Sequence, residues 1–83
     1  MMLKNIDTDL VLKGMSTNAR MWMVWFRGFE NSVLNYMPPD TSELRARAVM
    51  KILDKMGYVT GCHCGCRGDY ELTEKGEEYV ANL

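Results

Sequence analysis

The stretch that most constrains the fold of this chain is residues 53–80. It reads Leu-Asp-Lys-Met-Gly-Tyr-Val, then a Gly- and Cys-rich segment, then Tyr-Glu-Leu-Thr-Glu-Lys-Gly-Glu-Glu-Tyr-Val. Gly57 stands where a helix needs a left-handed residue after its last turn. Tyr70 and Leu72 alternate with acidic residues, as in a half-buried strand. The stretch therefore predicts a helix end, a β-hairpin and the start of a further helix.

The last helix carries its own starting signal. Thr73 is a suitable capping residue, and a helix is predicted over residues 74–82. Its inward-facing side chains are predicted to be Tyr79, Val80 and Leu83.

These residues carry a resemblance to a known family. Leu-x-x-x-Gly-Tyr-Val followed by Tyr-x-Leu-Thr-x-Lys-Gly-x-x-Tyr resembles the recognition-helix end and wing of small MarR- and PadR-like transcriptional regulators, over roughly the C-terminal half of the chain. The resemblance implies an α+β winged helix-turn-helix, mostly helical, with a two-stranded wing hairpin at about residues 58–72. It also implies a homodimer that places the helix before the wing in the major groove of double-stranded DNA.

Length and charge limit the remaining possibilities. A chain of 83 residues fits one domain, here residues 1–83, with a modest core. The net charge is −1, so any contact with DNA must come from local clusters of positive charge. No apolar run approaches the ~20 residues that span a membrane, and the start of the chain has no signal-peptide pattern. We therefore expect a cytoplasmic protein without a membrane partner.

The first part of the chain has an ambiguous pattern. Residues 7–13 predict a short helix that Gly14 ends, although residues 9–12 fit a short strand equally well. A long amphipathic pattern then runs over residues 16–36. Gly28 could divide it into two helices, but the periodicity favours a single one.

The long pattern predicts an aromatic core face and a second apolar surface. The core face consists of Trp22, Phe26, Phe29, Val33 and Tyr36, flanked by Met21 and Trp25. Met23, Val24 and Leu34 fall off this face, and a second copy or a protein partner could cover them.

Pro38 and Pro39 end that pattern, and a helix is predicted over residues 41–56. Asp40 and Glu43 have the spacing of a capping box, with Asp40 as the cap. The buried side is predicted to consist of Leu44, Ala48, Val49, Ile52, Leu53 and Met56.

Basic residues of this helix are candidates for DNA contact. Arg47, Lys51 and Lys55 recur at every fourth position and so form a stripe on one side. Lysine is suited to phosphate, and arginine to guanine edges. The same stripe also fits an ordinary solvated helix face. The candidate DNA-binding residues are Ser42, Arg45, Arg47, Lys51, Lys55 and, at the wing tip, Arg67.

The segment between the two strands is unusually rich in thiols. Cys62, His63, Cys64 and Cys66 have the number and types of ligands of a structural zinc site, although they are more closely spaced than usual. A Cu(I) site, a bridge between two chains, a redox-sensing pair and a merely Cys-rich tip fit the same residues.

Two functions from different classes follow. The first is a small DNA-binding transcriptional regulator that uses a recognition helix and a wing. The alternative is a winged-helix protein-interaction module, such as an adaptor or a small inhibitor from a phage or mobile element. No catalytic constellation is found, so an enzyme is not expected.

Overall fold

The computed structural model describes residues 2–3, 5–17, 22–61 and 69–83. The elements in chain order are β1 (Met2–Leu3), β2 (Ile6–Asp7), α1 (Thr8–Thr17), β3 (Met23–Val24), a 3₁₀ helix (Val33–Tyr36), α2 (Glu43–Lys55), β4 (Val59–Gly61), β5 (Asp69–Leu72) and α3 (Glu74–Ala81). β1 pairs with β2, while β3, β5 and β4 form an antiparallel sheet with β5 in the centre. The predicted α+β class is confirmed.

The end of α2 agrees with the sequence prediction. Gly57 has a φ of 87° and donates its N–H to the Asp54 carbonyl at 2.9 Å, while the Tyr58 N–H donates to the Leu53 carbonyl at 3.0 Å. These two bonds are those of a Schellman motif, which satisfies carbonyls that the helix leaves free. The chain then leaves α2 directly into β4.

The two strands predicted after α2 pair with each other, and a third strand joins them. In the β4–β5 pair Val59 lies opposite Leu72, and in the β3–β5 pair Met23 lies opposite Tyr70. The sheet is therefore wider than the two-stranded hairpin expected. Its third strand comes from a part of the chain for which a helix was predicted.

The continuous helix predicted over residues 16–36 is wrong, and so is its division into two helices at Gly28. The backbone of this part bonds across a loop, with the Val24 N–H donating to the Asn31 carbonyl at 2.9 Å. Gly28 has a φ of 91°, which a right-handed helix does not contain. Cross-strand bonds with β5 therefore replace local helical bonds.

The burial of the apolar residues in this part of the chain therefore differs from the prediction. Trp22 and Phe29, both predicted to be core, are 57% and 55% exposed. Met23 and Leu34, both predicted to offer a surface to a partner, are buried. Because these residues lie in a strand, a loop and a 3₁₀ helix, the single helical face that related them does not exist.

The helical interpretation of residues 7–13 is confirmed, and the strand alternative is wrong. The Asp7 carboxylate accepts the Asp9 N–H at 3.0 Å at the start of α1. Gly14 does not end α1, which continues to Thr17. A Cβ at Gly14 would lie 2.5 Å from a carbon of the Tyr36 ring, so glycine lets the helix approach that ring closely.

α3 begins as predicted, because the Thr73 hydroxyl accepts the Gly76 N–H at 3.1 Å. Tyr79 and Val80 pack against the core, but Leu83 is exposed, which contradicts its predicted inward position. The helix ends at Ala81, before a further turn could carry Leu83 inward. The most deeply buried large side chains of the core are Val11, Leu12, Met23, Val33, Val49, Met50, Leu53, Val59 and Tyr70.

A hydrogen bond between α3 and α1 makes stability depend on pH. The Tyr79 hydroxyl donates to the Asp9 carboxylate at 2.7 Å, and this bond lowers the pKa of Asp9 below its ordinary value of 3.8. A carboxyl whose pKa is lower in the folded state stabilises the fold above its unfolded pKa. That contribution is lost as the pH falls through the folded pKa.

We therefore expect Tyr79→Phe to destabilise the protein more at pH 7 than at pH 2. Urea unfolding at the two pH values measures the difference. Asp9→Asn, which removes the titrating group, should abolish the pH dependence of the Tyr79→Phe effect. An equal effect of Tyr79→Phe at both pH values would contradict a stabilising bond between Tyr79 and the ionised Asp9.

Candidate nucleic-acid interface

The start of α2 is built differently from the capping box expected. Ser42, not Asp40, caps the helix, because its hydroxyl accepts the Arg45 N–H at 3.1 Å. Glu43 does not reach back to the cap. Its carboxylate instead accepts the backbone N–H of Arg27 at 2.7 Å. A non-local partner has therefore replaced the local one.

Arg27 links the loop after β3 to the start of α2 by hydrogen bonds. In addition to the bond from its N–H to Glu43, its guanidinium donates to the Thr41 carbonyl. No local pattern predicts this role, since the two partners lie 14 and 16 positions further along the chain. The loop and the beginning of α2 are thus held together by two bonds of one residue.

The buried face of α2 is rotated relative to the prediction. Val49 and Leu53 are buried as expected, but Ala46 and Met50 complete the buried face. Of the remaining residues predicted to be buried, Met56 is half-buried, whereas Leu44, Ala48 and Ile52 are exposed. Both sets recur at helical spacing, so the pattern alone could not decide which one faces the core.

The predicted basic stripe divides into two parts. Lys51 and Lys55 are exposed on the outer side of α2. Arg47 is half-buried, and its guanidinium carbon lies 5.9 Å from the centre of the Trp25 ring. Arg47 therefore belongs to the flank that packs toward the sheet, where it makes a cation–π contact.

Tyr70 of β5 lies beneath this flank. Its side chain is buried, and burial raises the pKa of its phenol to about 12, while the charge of Arg47 acts in the opposite direction. The phenol is therefore neutral at physiological pH. Arg47 thus has a structural role beside Trp25 and Tyr70, whether or not it also contacts a ligand.

Ser42 and Arg45, two of the predicted DNA-binding residues, lie at the N-terminal end of α2. Ser42 is exposed and Arg45 half-buried. Both line a surface depression of about 260 Å³, together with Asn5, Thr41 and other residues of the neighbouring loops. Both residues therefore have solvent-accessible surface at the start of α2.

Acidic side chains border part of this surface, since Asp40 lines the same depression as Ser42 and Arg45. Within α2, Glu43 and Asp54 lie on the same flank as Arg47, as helical spacing requires. Exposed acidic side chains recur on α3, at Glu74, Glu77 and Glu78. Although the net charge of the chain is −1, the exposed Lys51 and Lys55 make the outer side of α2 basic.

Five predicted site residues lie outside the described residues: Cys62, His63, Cys64, Cys66 and Arg67. Elsewhere, the described ranges contain no group of three or more His, Cys, Asp or Glu side chains arranged to hold a metal ion. Zinc binding by the thiol-rich segment stays a prediction. Metal analysis of protein purified without chelator would test it.

The sequence analysis did not foresee a set of apolar side chains exposed to solvent. They are Leu44, Ala48 and Ile52 on α2, Trp22 just before β3, and Phe29 in the loop after β3. The ring centres of Phe26 and Phe29 lie 6.5 Å apart, so this loop carries an aromatic cluster. The signal that could have revealed the set was the excess of apolar residues over what one helical face can hold.

Comparisons with known proteins do not assign this chain to a family or a function. No protein family, curated protein or solved structure matches this chain. None of the described helices has the length and apolar character needed to cross a membrane. Functional inference therefore depends on the residues and their geometry.

Proposed function

We propose that this protein is a winged-helix DNA-binding protein, a small transcriptional regulator whose recognition helix is α2. The element order supports this: α1, β3, the 3₁₀ helix, α2, β4 and β5 follow one another as the helices and strands of a winged helix do. The sheet order β3-β5-β4 agrees as well, since it places the hairpin after α2 beside a strand that follows α1. In this proposal the 3₁₀ helix corresponds to the helix that precedes the recognition helix.

The observation that carries the proposal is the basic outer side of α2. Ser42 and Arg45 lie at its N-terminal end, and Lys51 and Lys55 follow on the exposed surface. In helix-turn-helix proteins the N-terminal residues of the recognition helix contact base edges. Lysines further along then suit phosphates. The site needs only a few cations, in keeping with the small total charge.

We expect Lys51→Ala and Lys55→Ala each to weaken binding to duplex DNA. Each lysine that contacts a phosphate releases counterions, so each loss should reduce the slope of log affinity against log salt by about 1. Fluorescence anisotropy with a labelled duplex over a range of salt concentrations measures both quantities. Arg47→Ala is a poor variant for this purpose, because Arg47 also packs on Trp25.

Lys13→Ala is the matched control. Lys13 is an exposed lysine on α1, so its loss changes the net charge equally without touching α2. The control should bind DNA like the unmodified protein. Equal weakening by all three substitutions would indicate a general charge effect, and no binding to any duplex at low salt would contradict the proposed function.

The exposed aromatic residues favour a second candidate function, a winged-helix protein-interaction module, and they also fit the homodimer expected of the DNA-binding protein. Trp22 and Phe29 both place large apolar surfaces in solvent, and Phe29 lies near Phe26. Such surfaces commonly become buried in protein interfaces. Light scattering of the unmodified protein and of a Trp22→Ser, Phe29→Ser variant tests the homodimer. If these side chains form the dimer interface, the unmodified protein should be a dimer and the variant a monomer.

A further inference from the structure

α2 is apolar on two sides, and the core accounts for only one of them. Leu44, Ala48 and Ile52 recur at every fourth position and are exposed, with 71% of Leu44 and 41% of Ile52 accessible to solvent. Residues at this spacing form a continuous line along a helix. We call these three residues the apolar stripe. Ala48 and Ile52 also border a depression of about 200 Å³ next to Leu3.

Cations lie on both sides of the apolar stripe. Helical geometry places Arg45 along one edge, and Lys51 and Lys55 along the other. Glu43 and Asp54 lie just before and just after the residues that the stripe spans, and Asp40 borders the depression beside Arg45. Within residues 44–52 every charged side chain is a cation. The chemical complement of this face is therefore an apolar centre bordered on two sides by negative charge.

The major groove of B-DNA presents that combination. It is about 12 Å wide, admits one α-helix, and is bordered by the phosphates of both strands. The only apolar groups on its floor that protrude from the bases are the 5-methyl groups of thymine, which apolar side chains contact. An acidic protein partner would also supply negative charge. Its chemistry, unlike the two phosphate backbones of a groove, does not require cations along both edges of one apolar line.

We infer that the apolar stripe reads thymine methyl groups, so that the DNA target is rich in A·T pairs where α2 lies in the groove. This inference rests on the proposed DNA binding and adds the sequence class of the target. The stripe spans eight residue steps, which is ~12 Å along the helix axis. At ~3.4 Å per base pair it covers about three to four pairs.

Replacing thymine by uracil is the direct test, because it removes the methyl group and leaves base pairing intact. A duplex that the protein binds is first selected from a random pool, and each thymine is then replaced singly. Burial of one methyl group corresponds to about fourfold in affinity. We expect a loss of that size at the thymines contacted by the stripe and none at thymines elsewhere in the duplex.

Leu44→Ala connects the effect to the side chain. Since Leu44 is largely exposed, the variant should fold normally, which its thermal unfolding midpoint would verify. Its affinity should fall on the thymine duplex, and its discrimination between thymine and uracil at one position should shrink from about fourfold toward none. Lys13→Ala should retain the full discrimination.

The outcomes separate this inference from the function on which it rests. Duplex binding that is indifferent to every uracil replacement overturns the inference and leaves DNA binding standing. Absence of binding to any duplex at low salt overturns both. Self-association that Leu44→Glu abolishes, without duplex binding, assigns the apolar stripe to a second copy of the chain.

Discussion

Leu53→Ala should lower the free energy of unfolding by about 2–5 kcal/mol, as substitutions of this kind do in a packed core. Leu53 is fully buried on the inner face of α2, and its carbonyl also accepts the bond that closes the helix end. A domain of this size has only ~5–10 kcal/mol of total stability. The substitution therefore removes a large share of it, which urea unfolding followed by circular dichroism would measure.

The neighbouring residue supplies the control. Ile52 is partly exposed on the outer side of α2, so Ile52→Ala should cost less than about 1 kcal/mol. Leu44→Ala should behave similarly, because Leu44 is still more exposed. If Ile52→Ala were as costly as Leu53→Ala, the orientation of α2 would be wrong, and the candidate interface on its outer side would be lost with it.

Gly76→Ala should destabilise the protein, although alanine is the better helix former. Helix propensity alone would favour alanine by about 1 kcal/mol. However, a Cβ at Gly76 would lie 2.1 Å from the backbone carbonyl oxygen of Tyr58. That carbonyl accepts the Thr73 N–H at 3.1 Å. If the new Cβ pushed α3 away from the carbonyl, the bond that positions the start of α3 would break.

We expect a net loss of about 1–3 kcal/mol, the usual range for overpacking. Chemical denaturation gives the value, and Glu77→Ala is the matched control at the next position of the same helix. Because Glu77 is exposed, its substitution should be close to neutral. A stabilising effect of Gly76→Ala would show that α3 does not approach the backbone at Tyr58.

The C-terminal half was predictable because its signals are local. Gly57 ends α2 through bonds within six residues, and Thr73 caps α3 through a bond to Gly76. The alternation around Tyr70 describes a strand with one buried face, which β5 has. Each of these features depends on residues that are close in sequence, so the local sequence pattern is enough to predict it.

The N-terminal half was not predictable in the same way. Its apolar residues are so frequent that a helix period can be fitted through residues 16–36. Met23 nevertheless pairs with Tyr70, far along the chain, and Gly28 adopts a φ of 91°. The partner strand decided the conformation, which is how tertiary context overrides local pattern.

The candidate interface was predictable in its residue types and not in its orientation. Lys51 and Lys55 are exposed as a basic stripe requires, but Arg47 packs on Trp25. α2 carries two apolar lines, and only the position of the core showed that the one containing Leu53 faces inward. The candidate surface was therefore located by packing and not by charge alone.

The central position of β5 has a consequence for how the chain folds. β3 pairs with β5, and α1 packs against β5 and α3, with Tyr79 bonded to Asp9 across 70 positions. During synthesis the first half of the chain thus leaves the ribosome before its partners exist. Folding must wait for these distant pairings, which slow the search and leave α1 and β3 exposed to aggregation until the last elements emerge.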